Sequence, residues 1–349
     1  MKNKKIYLEF IRIVACFFVI VNHTVSYVFW DYVPGGKTWC VSVFSFFLCK
    51  FSVPVFLMIS GIVLLGKEDS YGKLFKRIKK IVIIIIMSSM LYYINECIRL
   101  HTKFGFLTFV QRMIERPFSN CLWYLYMYLG ILLILPVLQK MTKHMTKRDY
   151  EYILISGFFI LSVCPVIAHC MGKNGVSSLV TGSMLGVYVL MVILGYYLEK
   201  YICVKETMIK WLLLIVIGET CVNVALSYHE WRVLIDNNKL TSPNDYLFYS
   251  NQEYINVLIL SICVFLLLKS IWIKYEYKFS ANVKKIVSYI GGLTLGIYVM
   301  GDFWIEMFLP LYYRGCARLH PMICVVILQA FVFIVGMIVT MILKRICKK

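Results

Sequence analysis

The sequence predicts an all-α integral membrane protein, a bundle of about ten transmembrane helices forming a single domain over residues 1–349, with both termini cytoplasmic. Three observations predict it. Of the 349 residues, 60% are hydrophobic and only 16% charged, which excludes a globular chain whose main solvent is water. The apolar residues gather into runs of about 20, the helical length that crosses a hydrocarbon core of roughly 30 Å. Of the 37 Lys and Arg, 25 fall in the chain ends and alternate connections between those runs, as a positive-inside orientation requires. A net charge of +19 is thereby a statement about topology and headgroup lipids rather than about a nucleic-acid partner, and none is expected. Disorder is excluded as well, because 23 Phe, 25 Tyr and 7 Trp carry far more apolar surface than a solvated chain does.

Taken in order, the runs cover 6–30, 40–65, 81–98, 121–142, 150–170, 179–201, 209–229, 254–273, 287–310 and 321–343. The first follows Lys2, Lys4 and Lys5 but is not expected to be a cleavable leader. It is too long, holds Arg12 and His23, and ends in Tyr27, Phe29 and Trp30 instead of small residues. In the second, Pro54 is expected to bend the helix, and Ser60 with Gly61 near its inner end admits close approach of another backbone or a ligand. The third follows the basic stretch Lys73, Lys76, Arg77, Lys79 and Lys80 and carries Glu96 near its far end. The fourth opens on Trp123 and Tyr124, the fifth ends at His169, and the seventh holds Glu219 and Asn223. The ninth contains Asp302 and, one turn later, Glu306. None of the runs shows the ten-residue alternation of a membrane barrel.

With the amino terminus inside, the inside segments hold 25 Lys and Arg and the outside loops 10, while Arg12 and Lys50 lie within runs. A missed or invented helix would invert every later loop and destroy this bias. The 13 Cys include no Cys-x-x-Cys pair, so neither a disulfide scaffold nor a metal site is expected, and the thiols read as small packing residues. The longest outside loops, 99–120 and 230–253, are polar. They are either plain connectors or part of a site for a polar acceptor.

Ionisable side chains inside lipid are costly and therefore mark function. Arg12 and His23 are eleven residues apart, three helical turns plus roughly 20°, so they share one face about 16 Å apart along the axis. Glu9, three residues before Arg12, can pair with its guanidinium and lower the cost of burial. Asp302 falls at the expected depth of His23, where a carboxylate can orient an imidazole. Glu306 is expected at a similar depth or as an interfacial helix-end group. In the basic stretch, Arg77 and Lys80 are three residues apart on one face, which suits a phosphorylated ligand as well as it suits anionic headgroups.

Glu9-Phe10-Ile11-Arg12, with His23 after ten intervening residues, resembles the first-helix signature of the type 3 acyltransferase family, integral membrane acyltransferases of surface carbohydrates. Phe51 to Leu65 with Ser60-Gly61, followed by Lys76, Arg77 and Lys80, is similar to that family's second-helix block. Leu122-Trp123-Tyr124-Leu125 with Leu135-Pro136, and Leu295-Gly296-Ile297-Tyr298, resemble its aromatic helix and its late Gly-Ile-Tyr segment. Where many relatives carry a His after the Ile-Tyr pair, this sequence reads Val299-Met300-Gly301-Asp302, so that role falls to Asp302 or is absent.

The resemblance implies transfer of an acyl group, most often acetyl from acetyl-CoA, to a hydroxyl of a cell-surface or lipid-linked carbohydrate by a multi-pass protein of the cell membrane. His23 and Asp302 are then the expected catalytic residues. Arg12, Ser60, Arg77 and Lys80 are expected on the acyl-CoA co-substrate, and Trp123, Tyr124 and Glu306 on the acceptor. No tightly bound cofactor is expected. Some relatives continue into an extracellular esterase-like domain. Here the sequence ends in Lys348-Lys349 after the last run, so the expectation is a chain that acts alone or hands its acyl group to a separate extracytoplasmic transferase. Ten helices with buried charges also suit a transporter or flippase, against which stands the lack of an internal repeat.

Overall fold

The computed structural model describes residues 5–173 and 177–346. Lys2, Lys4, Lys348 and Lys349, which enter the charge balance, lie outside the described residues. Among the described residues the chain is helical throughout, without a strand. Its helices are α1 (Ile6–Phe29), α2 (Lys37–Leu64), α3 (Tyr71–Arg99), the short α4 (Phe106–Glu115), α5 (Trp123–His144), α6 (Lys147–Cys170), α7 (Val187–Tyr201), α8 (Met208–Asp236), α9 (Ile255–Lys278), α10 (Ala281–Val299), α11 (Gly301–Cys316) and α12 (Pro321–Ile346).

Eight of these helices are long and apolar enough to cross a membrane, and a ninth crossing follows if the bent pair α10 and α11 is one span. The expected sixth run, 179–201, is continuous helix only as α7, 15 residues long, a rise of about 22 Å. Gly182 and Ser183 lie in the interruption of its first third, where glycine is a poor helix former, and Gly186 is the N-cap of α7, a position that tolerates glycine.

The ninth run differs too. At Met300 the axis turns by 70°. A break inside a membrane frees backbone groups that lipid cannot satisfy, and here α3 satisfies them. Tyr92 Oη donates to the Val299 carbonyl (3.0 Å) and accepts from the Phe303 N–H (3.1 Å). At Pro54, α2 changes its hydrogen bonding. The proline ring deprives the Lys50 carbonyl of a helical partner, and the chain tightens into a 3-10 turn over Cys49–Phe51 before resuming as helix.

α1 is the axis of the bundle, touching α2, α9, α10, α11 and α12. Its small residues Ala15 and Cys16, with Ile11, are fully buried and let those neighbours close in. Cys16 Sγ reaches the Thr294 carbonyl of α10 at 3.5 Å. Beside α1, α2 and α7 cross with their backbones in contact. A Cβ added at Gly61 would sit 1.8 Å from the Val192 carbonyl oxygen, and one at Gly195 would sit 2.1 Å from that of Met58. The close approach read at Gly61 is thus made by a backbone. On the periphery, α3, α8 and α12 expose Ile83, Met87, Leu214, Ile215, Val326 and Ile327, the lipid-facing residues of a bundle whose interior is no more apolar than its surroundings.

Candidate active site

Arg12 and His23 open onto different cavities. Arg12, near the start of α1, lines a cavity of about 380 Å³ with Ser60 of α2, Arg77 and Lys80 of α3, Tyr124 of α5 and Tyr298 of α10. Each arginine is fixed by a carboxylate. Arg12 Nη1 donates to Glu9 Oε2 at 2.8 Å, and Glu9, 5% exposed, fits only because Gly291 faces it: a Cβ there would lie 2.3 Å from Oε2. Arg77 pairs with Asp69, whose side chain is 1% exposed and also lies 3.6 Å from Lys73 Nζ. The loop bearing Asp69 is tied to α5, since the Asp69 N–H donates to Gln139 Oε1 (3.2 Å) and Gln139 Nε2 donates to the Leu64 carbonyl (2.8 Å). A guanidinium has five donors, so both arginines retain N–H groups for an anion. Ser60 Oγ is turned to its own helix, donating to Phe56 O at 2.9 Å, and Lys80 is exposed.

Toward the other end of α1, His23 lines a second cavity of about 290 Å³ with Asn22, Ser52, Asn120, Trp123, Gln252 and, again, Tyr298. His23 Nδ1 lies 3.1 Å from Asp302 Oδ1. The other carboxylate oxygen accepts from the Cys121 N–H (3.0 Å) and from Ser119 Oγ (2.5 Å). The break at Met300 puts Asp302 in the first turn of α11, where the helix dipole favours a carboxylate. Two acceptor atoms of this cavity's residues, Asn22 Oδ1 and Gln252 Oε1, are buried with no hydrogen-bond partner among the described residues. Buried polar atoms are nearly always paired, so a ligand bearing donors suits them. Trp123, its ring 5.6 Å from that of Tyr188, leads into an adjoining shallow cavity of about 280 Å³ with Ser250, Asn251 and Gln252.

The structure therefore brings Arg12, Ser60, Arg77, Lys80 and Tyr124 to one cavity, and His23, Asp302 and Trp123 to the other. Glu306 joins neither. It is exposed, 3.6 Å from Arg99 Nη1 and 3.4 Å from Asn95 Nδ2, because α11 turns it away from α1. Glu96 pairs with Arg112 of α4 at 2.7 Å, and Glu219 accepts from Asn223, which in turn accepts from Asn256 at 3.0 Å. His169 contacts Glu230 at 3.0 Å. The buried Lys50 lies 3.7 Å from the centroid of the Phe46 ring. Sequence reasoning passed over Ser119, Asn120 and Gln252. Both long polar loops did hint at them, but no periodicity says which loop residue turns inward.

An imidazole held by a carboxylate and facing a cavity is an arrangement that acid–base chemistry can use. The family is shown directly. The model described as an acyltransferase domain, that of the type 3 acyltransferases, matches residues 5–345. The chain belongs to this family and is a membrane acyltransferase, which sets the carrier reading aside. No curated protein and no solved structure matches it.

Proposed function

We propose that the protein moves an acetyl group from acetyl-CoA to a hydroxyl of a cell-surface or lipid-linked carbohydrate in the cell membrane, with both termini and the basic cavity on the cytoplasmic side. The observation that carries this reading is the pair of cavities at opposite ends of α1, one basic, the other holding the His23–Asp302 pair, with Tyr298 common to their linings. Arg12, Arg77 and Lys80 suit the phosphates of CoA, and its thioester arm lies along Ser60 and Tyr124. Asn22, Asn120, Gln252 and Trp123 suit a ring with several hydroxyls, offering amide groups for hydrogen bonds and an apolar face for stacking.

With Nδ1 donating to Asp302, the Nε2 lone pair of His23 takes the proton of the acceptor hydroxyl as its oxygen attacks the thioester carbonyl. The C–S bond then breaks, the acyl group stays on the acceptor oxygen, and the departing sulfur takes the proton back from Nε2. Asp302 holds the imidazole in that tautomer and stabilises the transient imidazolium. The acylated sugar is either the product or the donor for a separate extracytoplasmic transferase.

Label transfer from radioactive acetyl-CoA to lipid-linked glycan in inverted vesicles tests the reading. His23→Ala is expected to insert normally and to lower transfer by roughly 10²- to 10⁴-fold. Transfer at the wild-type rate would refute it.

A further inference from the structure

Among the described residues Tyr298 is the one that lines both cavities, and its side chain has three neighbours that seat it. Tyr124 stands edge-on at 5.7 Å between centroids and Phe56 at 6.4 Å. The hydroxyl donates to the carbonyl of Cys121, the residue whose N–H donates to Asp302. The backbone beneath is fixed as well. Gly296, two residues earlier, packs against Thr340 of α12 so closely that a Cβ would lie 2.4 Å from its Cγ2, and Tyr92 holds the carbonyl of Val299. These contacts seat the buried ring in one place.

We infer that Tyr298 is the specificity-determining residue for acyl length. It is a fixed partition against which the acyl end of the thioester packs beside His23, with room for a two- or three-carbon group and none for a longer chain. The inference rests on the proposed entry of acyl-CoA through the basic cavity. Its physical basis is steric. Flexible walls adapt to an added methylene, whereas a fixed aromatic wall leaves a longer chain no room, and even one methylene in a closed apolar pocket changes selectivity by roughly 10- to 200-fold. Because Cys121 carries both the tyrosine and the Asp302 contacts, the partition and the His23 pair are also held in fixed register.

The test compares acetyl-CoA with butanoyl-CoA, reading label transfer in vesicles. It also compares non-transferable two-carbon and four-carbon thioethers of CoA, reading displacement of labelled CoA from the purified protein. Wild type is expected to favour the two-carbon member by at least roughly 10-fold in both assays. Tyr298→Leu and Tyr298→Ala should narrow that preference to within about threefold. Tyr298→Phe should keep it, since the ring remains, while transfer slows because the anchor on Cys121 is gone. The displacement ratio reports even for a variant that has lost turnover, and Tyr298→Leu serves if the alanine variant does not insert. An unchanged ratio in Tyr298→Leu, or no chain-length preference in wild type, overturns the inference. Wild-type protein that binds no CoA at all would instead overturn the proposed donor site.

Discussion

The two cavities solve opposite electrostatic problems. In the basic cavity each arginine is already matched to a buried carboxylate, Arg12 to Glu9 and Arg77 to Asp69, so cations persist inside a helical bundle at a tolerable cost. In the histidine cavity there is one imidazole–carboxylate pair, His23 and Asp302, among neutral amides, and two of those amide oxygens have no partner among the described residues. Under the proposed function, the difference teaches how one helix could serve two ligands: an anionic donor through charges that the protein balances beforehand, and a neutral polar ring through hydrogen-bonding capacity left open.

The comparison can be broken most severely at Asp302. Asp302→Asn keeps the shape but removes the charge that orients His23, so kcat should fall by roughly 10²- to 10⁴-fold with little change in donor KM. A rate within threefold of wild type would mean that His23 needs no orienting partner. Next comes Arg12→Gln. Losing one charge-assisted contact should weaken donor binding by about 2 kcal/mol, roughly 30-fold in KM. The double variant Glu9→Gln/Arg12→Gln, which removes both charges together, separates that effect from the cost to folding. Steady-state titration of acetyl-CoA against both proteins decides it, and equal KM values in all three would remove Arg12 from the donor site.

Gly61→Ala sharpens the comparison from the side of packing. Its Cβ would collide with the α7 backbone, so thermal stability should drop by about 1–3 kcal/mol. Donor affinity should suffer more than acceptor affinity, because Ser60 borders only the basic cavity. A melting profile in detergent together with both KM values reads this. The smallest effect is expected for Gln252→Ala, which removes one hydrogen-bonding group from the histidine cavity. Acceptor KM should rise roughly threefold to tenfold while donor KM stays constant, and the reverse pattern would exchange the assignments of the two cavities.

Legibility in the sequence followed the range of the physics involved. The Arg12 and His23 pairing was readable because helical period and rise are local, and the same holds for Glu9 beside Arg12 and for Arg77 with Lys80. Gly61 was readable as a contact point because glycine in a helix marks a close approach. The 15-residue α7 was overestimated, since hydropathy counts apolar residues without weighing the helix-breaking Gly182 or the cap at Gly186. Glu306 was placed with Asp302 on the assumption of one straight helix. The axis turns by 70° at Met300, before both carboxylates, and along α11 Asp302 lies beside His23 while Glu306, one turn further on, lies beside Arg99. That turn rests on Tyr92, far away in sequence, and Gly301 beside it is a weak local sign that hydropathy does not weigh.

By itself, then, the sequence determined the membrane class, the helical content and the placement of a cation and an imidazole on one face of the first helix. Composition and periodicity are properties of the chain before it folds. Only the tertiary structure decided that His23 meets Asp302, that Ser119 and the Cys121 amide complete that carboxylate's contacts, and that Tyr298 stands between two cavities. Those relations depend on a broken helix whose freed backbone groups find partners in a different helix, and such satisfaction is settled only once the helices have packed.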